Sequence, residues 1–195
     1  VASILLLWEI GFVTTGSLQA ETLRRFTALR LMRERWGGVF VLGVGLTGNR
    51  RATALATLGV GAAGLFLEGD SAVLRAAMRD GCCSFVVTSL DEALRALKNE
   101  LRQGRAITVG LGGEPARWLE EMVERGVVPD FVLDSGLGAG LPDGWRVEED
   151  AAASLAERRA RDVALAASAD GVMRDWLRVA GSLFPRETAR AIIRF

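Results

Sequence analysis

Five short apolar runs recur along the chain, at 39–45 (VFVLGVG), 64–68 (GLFLE), 84–88 (SFVVT), 106–111 (AITVGL) and 130–134 (DFVLD). None alternates apolar with polar residues. Continuous apolar runs of this length predict strands covered on both faces, as in parallel sheets. The intervening segments carry helical periodicity. Asp70 is placed to cap a helix buried through Val73, Leu74, Ala77 and Met78 and ended by Gly81. Ser89 and Glu92 have capping-box spacing ahead of Leu90, Leu94, Leu97 and Leu101, and Gly104 stands where a closing glycine belongs. Pro115 suits a first helical turn, Trp118, Leu119, Met122 and Val123 share one apolar face, and Gly126 ends that helix.

Repetition of strand and helix over five strands predicts an α/β fold, a doubly wound (Rossmann-like) parallel sheet with helices on both faces. An amphipathic helix from about Glu21 to Arg35 precedes it. From about Val147 onward the pattern predicts helix to the end, packed back on the sheet or docked on another domain. A chain of 195 residues accommodates one full core. We therefore expect a single domain over 1–195, with a lead and helix at 1–37, an α/β core at 38–146 and a helical tail at 147–195.

Three glycine-rich turns follow predicted strands. In VFVLGVGLTGNRRA, Gly43, Gly45 and Gly48 form G-x-G-x-x-G after a strand and before a helix. Those glycines suit a tight turn, close approach of a pyrophosphate and close helix packing, with the helix N-terminus offering N–H groups to the phosphates. Glu68 ends the next strand, 20 residues after Gly48, where an acid accepts hydrogen bonds from ribose hydroxyls and repels a 2′-phosphate. That favours NAD over NADP. The bland alternative is that the glycines make only a tight connection and that Glu68 is a solvated strand end. The second turn holds Gly110, Gly112 and Gly113 before Pro115. In the third, Asp134 and Ser135 open a loop with Gly136, Gly138 and Gly140, Asp134 being placed better as an acceptor for cofactor or backbone than as a catalytic acid.

Composition narrows the chemistry. There is no histidine and no tyrosine, which removes imidazole bases, histidine metal sites and Ser-His-Asp or Cys-His catalysis from this chain alone. Lys98 is the only lysine and lies in a helix away from every glycine turn, so a Tyr/Lys dehydrogenase site is excluded; a carboxylate-based NAD-dependent oxidoreductase remains the weakest alternative. Lys+Arg and Asp+Glu balance at 24 each, giving no sign of a nucleic-acid or acidic-membrane partner. Cys82 and Cys83 are adjacent, poorly placed for an ordinary disulfide or a zinc site, and read as small residues entering a strand in a reducing, cytoplasmic compartment. The apolar N-terminal run carries Glu9 and falls short of the roughly 20 residues that span a bilayer. It reads as core, or as a segment whose neighbours lie outside this chain.

Together VFVLGVGLTGNRRA, FLEGD, TSLDEALRALK and ITVGLGGEPARWLEEMVERGVVPDFVLD resemble the central NAD-binding domain of urocanase (urocanate hydratase), more weakly from about Gly16 to the tail. The resemblance implies NAD+ used as an electrophile toward the substrate imidazole, so that water adds to urocanate in histidine degradation without net redox. It implies a homodimer or contact with the remaining urocanase domains. By position, Gly48 and Asn49 fall on the family's glycine-turn contact to NAD, Glu68 on its ribose-binding acid, Gly113 with Glu114 on its Gly-Asn pair, and Asp134 with Ser135 on the start of its polar loop. Three positions depart. Glu114 replaces Asn, Val73 stands where many members have Arg, and Ser-Gly-Leu-Gly-Ala replaces a longer segment containing histidine. With the flanking regions also missing, no catalytic residue is assigned here. A urocanase-type domain inactive by itself and a non-catalytic binding or assembly relative both remain open.

Overall fold

The computed structural model describes residues 18–48, 50–133, 145, 147–148, 175–176, 178–180 and 182–183. The elements in order are α1 (Leu18–Met32), β1 (Phe40–Val44), α2 (Arg50–Val60), β2 (Ala63–Glu68), α3 (Ser71–Arg79), β3 (Phe85–Val87), α4 (Leu90–Gln103), β4 (Ile107–Gly112), α5 (Pro115–Glu124), β5 (Phe131–Leu133) and β6 (Val147–Glu148). All five expected strands form, in an all-parallel sheet of order β3-β4-β2-β1-β5-β6. The sixth corrects the sequence reading: Val147 and Glu148 pair with Val132 and Leu133 instead of starting a helix. Two residues are too few to carry a period, so the strand is invisible to pattern reading.

Alternate side chains of β1 to β5 enter two separate cores. Val41, Phe66, Phe131 and Leu133 pack with α1, α2 and α3, whereas Phe40, Leu42, Leu65, Leu67 and Val132 pack with α4 and α5. Each of these five strands is thus covered on both faces, as the absence of alternation predicted. The placement of the helices also follows the chain path. The connections β1-α2-β2 and β2-α3-β3 run toward the β3 edge on one face, and β3-α4-β4 and β4-α5-β5 run back on the other. All four crossovers therefore share one hand, the constraint expected of parallel connections. A crossover on one face leaves β1 and a crossover on the opposite face enters β5. Between neighbouring strands of that kind a crevice opens at the carboxyl edge.

Local signals explain the helix ends. Asp70 adopts an extended conformation and its carboxylate accepts the N–H of Ala72 at 2.7 Å. Gly104 closes α4 at φ 63°, a left-handed conformation that glycine adopts without penalty. Ser89 is the N-cap residue of α4, but its hydroxyl makes no capping bond, so the expected capping box is not formed. Nearby, Asp91 pairs with Arg125 after α5, which engages the first turn of α4 from another element. On α3, Leu74 and Ala77 form the buried stripe, and Val73 and Met78 flank it; Met78 is 48% exposed where burial was expected. Val123, likewise expected in the core, is exposed beside the buried Trp118, Leu119 and Met122.

Helical residues from the tail cover α1. The rings of Phe26 and Trp176 lie 5.4 Å apart, and Arg30 pairs with Asp175 at 2.6 Å. The start of β5 is held by a reciprocal pair: Asp130 Oδ2 accepts the N–H of Phe40 at 2.7 Å, and the N–H of Asp130 donates to the Phe40 carbonyl at 2.9 Å.

Candidate functional site

The first glycine turn leaves the carboxyl end of β1, beside β5. Gly45 has φ 83° and donates its N–H to the Leu67 carbonyl at 2.7 Å, which turns the chain sharply across the end of β2. A side chain there would meet Arg50, whose Cδ and Nη1 lie 2.9 and 2.8 Å from an ideal Cβ. The guanidinium thus sits directly against the turn. Gly48, at φ 53°, has open space where a side chain would go. The N–H groups of Gly45 and Leu46 are used within the protein, and those of Arg50 and Arg51 close onto the carbonyls of Thr47 and Gly48. The N–H groups of Thr47 and Gly48 have no partner among the described residues, leaving two donors at the head of α2 beside a cation.

Gly43, expected among the cofactor contacts, precedes the turn itself. It lies inside β1, opposite Phe66 and Leu133 in register, and an added Cβ would be 2.5 Å from Phe66 Cε1. The same ring fills the side-chain space of Gly64, at 2.7 Å from Cε2. Gly43 therefore admits an aromatic ring to the core, and the missing side chain serves packing and not the loop.

Glu68 ties the surrounding loops together. Its Oε2 accepts the N–H of Leu46 at 2.8 Å, its Oε1 accepts the N–H of Asp70 at 3.0 Å, and its carbonyl accepts the N–H of Gly113 at 3.1 Å. One residue thereby joins the turn after β1, the turn after β2 and the turn after β4. Each carboxylate oxygen keeps a lone pair for a further donor. Gly113, at φ 129°, packs against the Trp118 indole, 2.8 Å from an ideal Cβ to Nε1. Glu114 is the exposed N-cap residue of α5 and makes no capping bond. Asn49, Asp134 and Ser135 lie outside the described residues. Val73 packs partly against the core of the α1-α2-α3 face.

Beside Glu68 the structure opens a cleft of about 400 Å³ between α3 and the carboxyl ends of β3 and β4. Gly69, Gly112 and Gly113 form its backbone walls, continuous with the turns just described. Sequence reasoning missed this cleft because Met78 looked like a core residue. Its position at the border of the apolar stripe was the available signal.

Cys82 and Cys83 are free and buried, just before β3. Burial pushes the Cys82 thiol up to about 11, with Arg51 opposing and Asp80 adding to the rise, and pushes Cys83 up to about 12 with the help of its neighbour. Both are protonated near neutral pH and unsuited to nucleophilic work. Among the described residues no cluster of three or more His, Cys, Asp or Glu is placed to hold a metal, and no helix is long and apolar enough to cross a membrane.

The glycine turns at the carboxyl edge, the acid at the end of β2 and the doubly wound sheet agree with comparison to known families. The family profile described as the urocanase Rossmann-like domain matches residues 15–173. The chain accordingly belongs to the urocanase family, of which it carries the Rossmann-like domain.

Proposed function

We propose that this chain binds NAD+ across the carboxyl edge of its sheet and serves as the cofactor-binding domain of a urocanate hydratase-like protein. The observation that carries the reading is Glu68, which holds the phosphate-type turn at Leu46 while keeping acceptor capacity beside an open cleft. In this reading the N–H groups of Thr47 and Gly48 and the Arg50 guanidinium receive the pyrophosphate, and Glu68 receives the ribose hydroxyls of the adenosine half. The cleft receives the adenine. Gly45, Gly48 and Gly113 act by leaving room for the ligand or holding the turns; the family resemblance adds Asn49 to the glycine-turn contact and Asp134 and Ser135 as further NAD+ contacts, all three outside the described residues. The acid at position 68 disfavours a 2′-phosphate, so the cofactor is NAD+ and not NADP+. When bound, its oxidised nicotinamide supplies an electrophilic carbon; this chain's residues bind and orient it. No residue of the chain is assigned an acid or base role, and the substrate pocket is built by other regions of the protein.

Calorimetric titration and thermal shift with NAD+ test the binding. Ligand at 100 times its Kd adds about 2.7 kcal/mol of stability, and an unmoved melting temperature at millimolar NAD+ sinks the proposal. Loss of the urocanate absorbance tests the hydratase step, for which no turnover is expected from this chain alone. A second reading, a non-catalytic relative that keeps the fold for binding or assembly, is favoured by Glu114, a negative charge at the helix end nearest the second glycine turn.

A further inference from the structure

The cleft beside Glu68 contains a chemistry that the glycine turns do not account for. Leu74, Val86 and Met78 give it an apolar lining, and Met78 is one of the few large hydrophobic side chains exposed among the described residues. A half-exposed methionine lining a cleft offers polarizable apolar surface to a flat partner. Among the described residues Arg75 is the only charged one lining the cleft, and no carboxylate lines it. Its guanidinium donates to Ser71 Oγ at 3.3 Å, one turn back on α3, and forms no ion pair among the described residues. Elsewhere on the same helical face of the sheet Arg51 is neutralised by Asp80 at 2.6 Å.

We propose that Arg75 is a specificity-determining residue of this cleft, stacking its planar guanidinium on a purine base held against Leu74, Met78 and Val86. The inference rests on the dinucleotide reading above. A guanidinium stacks on an aromatic face and is weakly hydrated, so it covers a neutral ring at little desolvation cost. The same charge repels the oxidised nicotinamide ring, which is cationic. Ser71 and Thr88, whose hydroxyls can donate or accept, also line the cleft. Arg75 thereby fixes the polarity of the bound dinucleotide: adenine enters beside α3, and the nicotinamide half is directed past the first glycine turn toward β5.

Titration of the full chain with NAD+, AMP and nicotinamide mononucleotide tests this, using the wild type, Arg75→Ala and Arg75→Lys. Arg75 is exposed, so both variants are expected to keep the wild-type melting temperature without ligand. AMP is expected to bind and to displace NAD+, and nicotinamide mononucleotide is not. Arg75→Ala is expected to weaken AMP about two- to fivefold, the scale of a cation–π contact at an exposed site. Arg75→Lys, which keeps the charge and loses the plane, is expected to recover little of it. Unchanged AMP affinity in Arg75→Ala, full recovery in Arg75→Lys, or equal binding of the two mononucleotides overturns the inference while NAD+ binding keeps the dinucleotide reading. A wild-type chain that binds neither NAD+ nor AMP overturns both.

Discussion

Glu68 and Leu46 are joined across the carboxyl edge of the sheet, the N–H of Leu46 donating to Glu68 Oε2 at 2.8 Å. The bond runs from the end of β2 to the turn after β1, 22 residues apart, so in the proposed reading the acid that receives the ribose also sets the shape of the turn that receives the phosphates. With Asp70 on the other oxygen, the carboxylate fixes two loops whose separation determines whether one dinucleotide reaches both. In that reading, binding and turn geometry are coupled through one side chain.

Replacement of Glu68 by Ala removes two charge-assisted hydrogen bonds from a half-buried position. The expected cost is about 1–3 kcal/mol in urea denaturation, together with loss of NAD+ binding. Glu68→Gln keeps one carbonyl acceptor but sets an amide NH2 against one of the two backbone N–H groups, so it is expected to fall between wild type and Glu68→Ala. A Gln variant as stable as wild type contradicts the two-bond account.

Two glycines of one motif are expected to fail in different ways. Gly43→Ala drives a methyl group toward the Phe66 ring, 2.5 Å away, in a core with no slack. Overpacking of this kind costs about 1–3 kcal/mol, and Phe66→Leu is expected to recover part of it. NAD+ affinity of the folded variant stays unchanged. Gly48→Ala meets no atom but must hold φ 53°, at about 1–2 kcal/mol, and places its methyl in the open turn. Its NAD+ affinity falls, and thermal melts with and without ligand separate the two cases.

Much of this contrast was hidden in the sequence. The apolar runs located β1 to β5 within a residue or two, because a strand buried on both faces writes its burial directly into the chain. The G-x-G-x-x-G spacing and Glu68 identified the edge where the loops meet. That Gly43 is a packing glycine depends on the register of β1 with β2, which sets it opposite Phe66, and register is a long-range property. The cleft depends in the same way on β3 and β4 lying side by side although a helix separates them. In VVPD the role of Asp130, bonding to Phe40 90 residues earlier, likewise appears only once β5 lies beside β1.

Glu114 carries a charge at a position where geometry asks for a short acceptor. As N-cap it makes no side-chain bond, since its chain is long for reaching the N–H groups one turn ahead. Glu114→Asn is expected to stabilise α5 by about 0.5–1 kcal/mol through a capping bond. If the second glycine turn faces a polyphosphate, the same change strengthens NAD+ binding by removing a like charge. Chemical denaturation reads the first effect and calorimetry the second; unchanged affinity with a gain in stability locates the phosphates elsewhere.

Alkaline stability offers a test of the buried cysteine pair that other groups scarcely obscure. The folded thiols titrate at about 11 and about 12, above the ordinary value of 9.0, because burial penalises the thiolate. Below pH 9 both states keep their protons and the thiols add no slope. Above it the unfolded chain releases protons that the folded chain retains, so stability falls with rising pH through about 11 to 12. The limiting slope is at most about 1.4 kcal/mol per pH unit for each thiol. With no tyrosine and one lysine in the chain, few other side chains titrate in that window. Urea unfolding followed from pH 7 to 11 should show a plateau and then a decline, and the Cys82→Ala/Cys83→Ala protein should show a shallower decline from a lower plateau. Equal slopes for the two proteins would assign the alkaline loss to other groups and remove the thiols from the account.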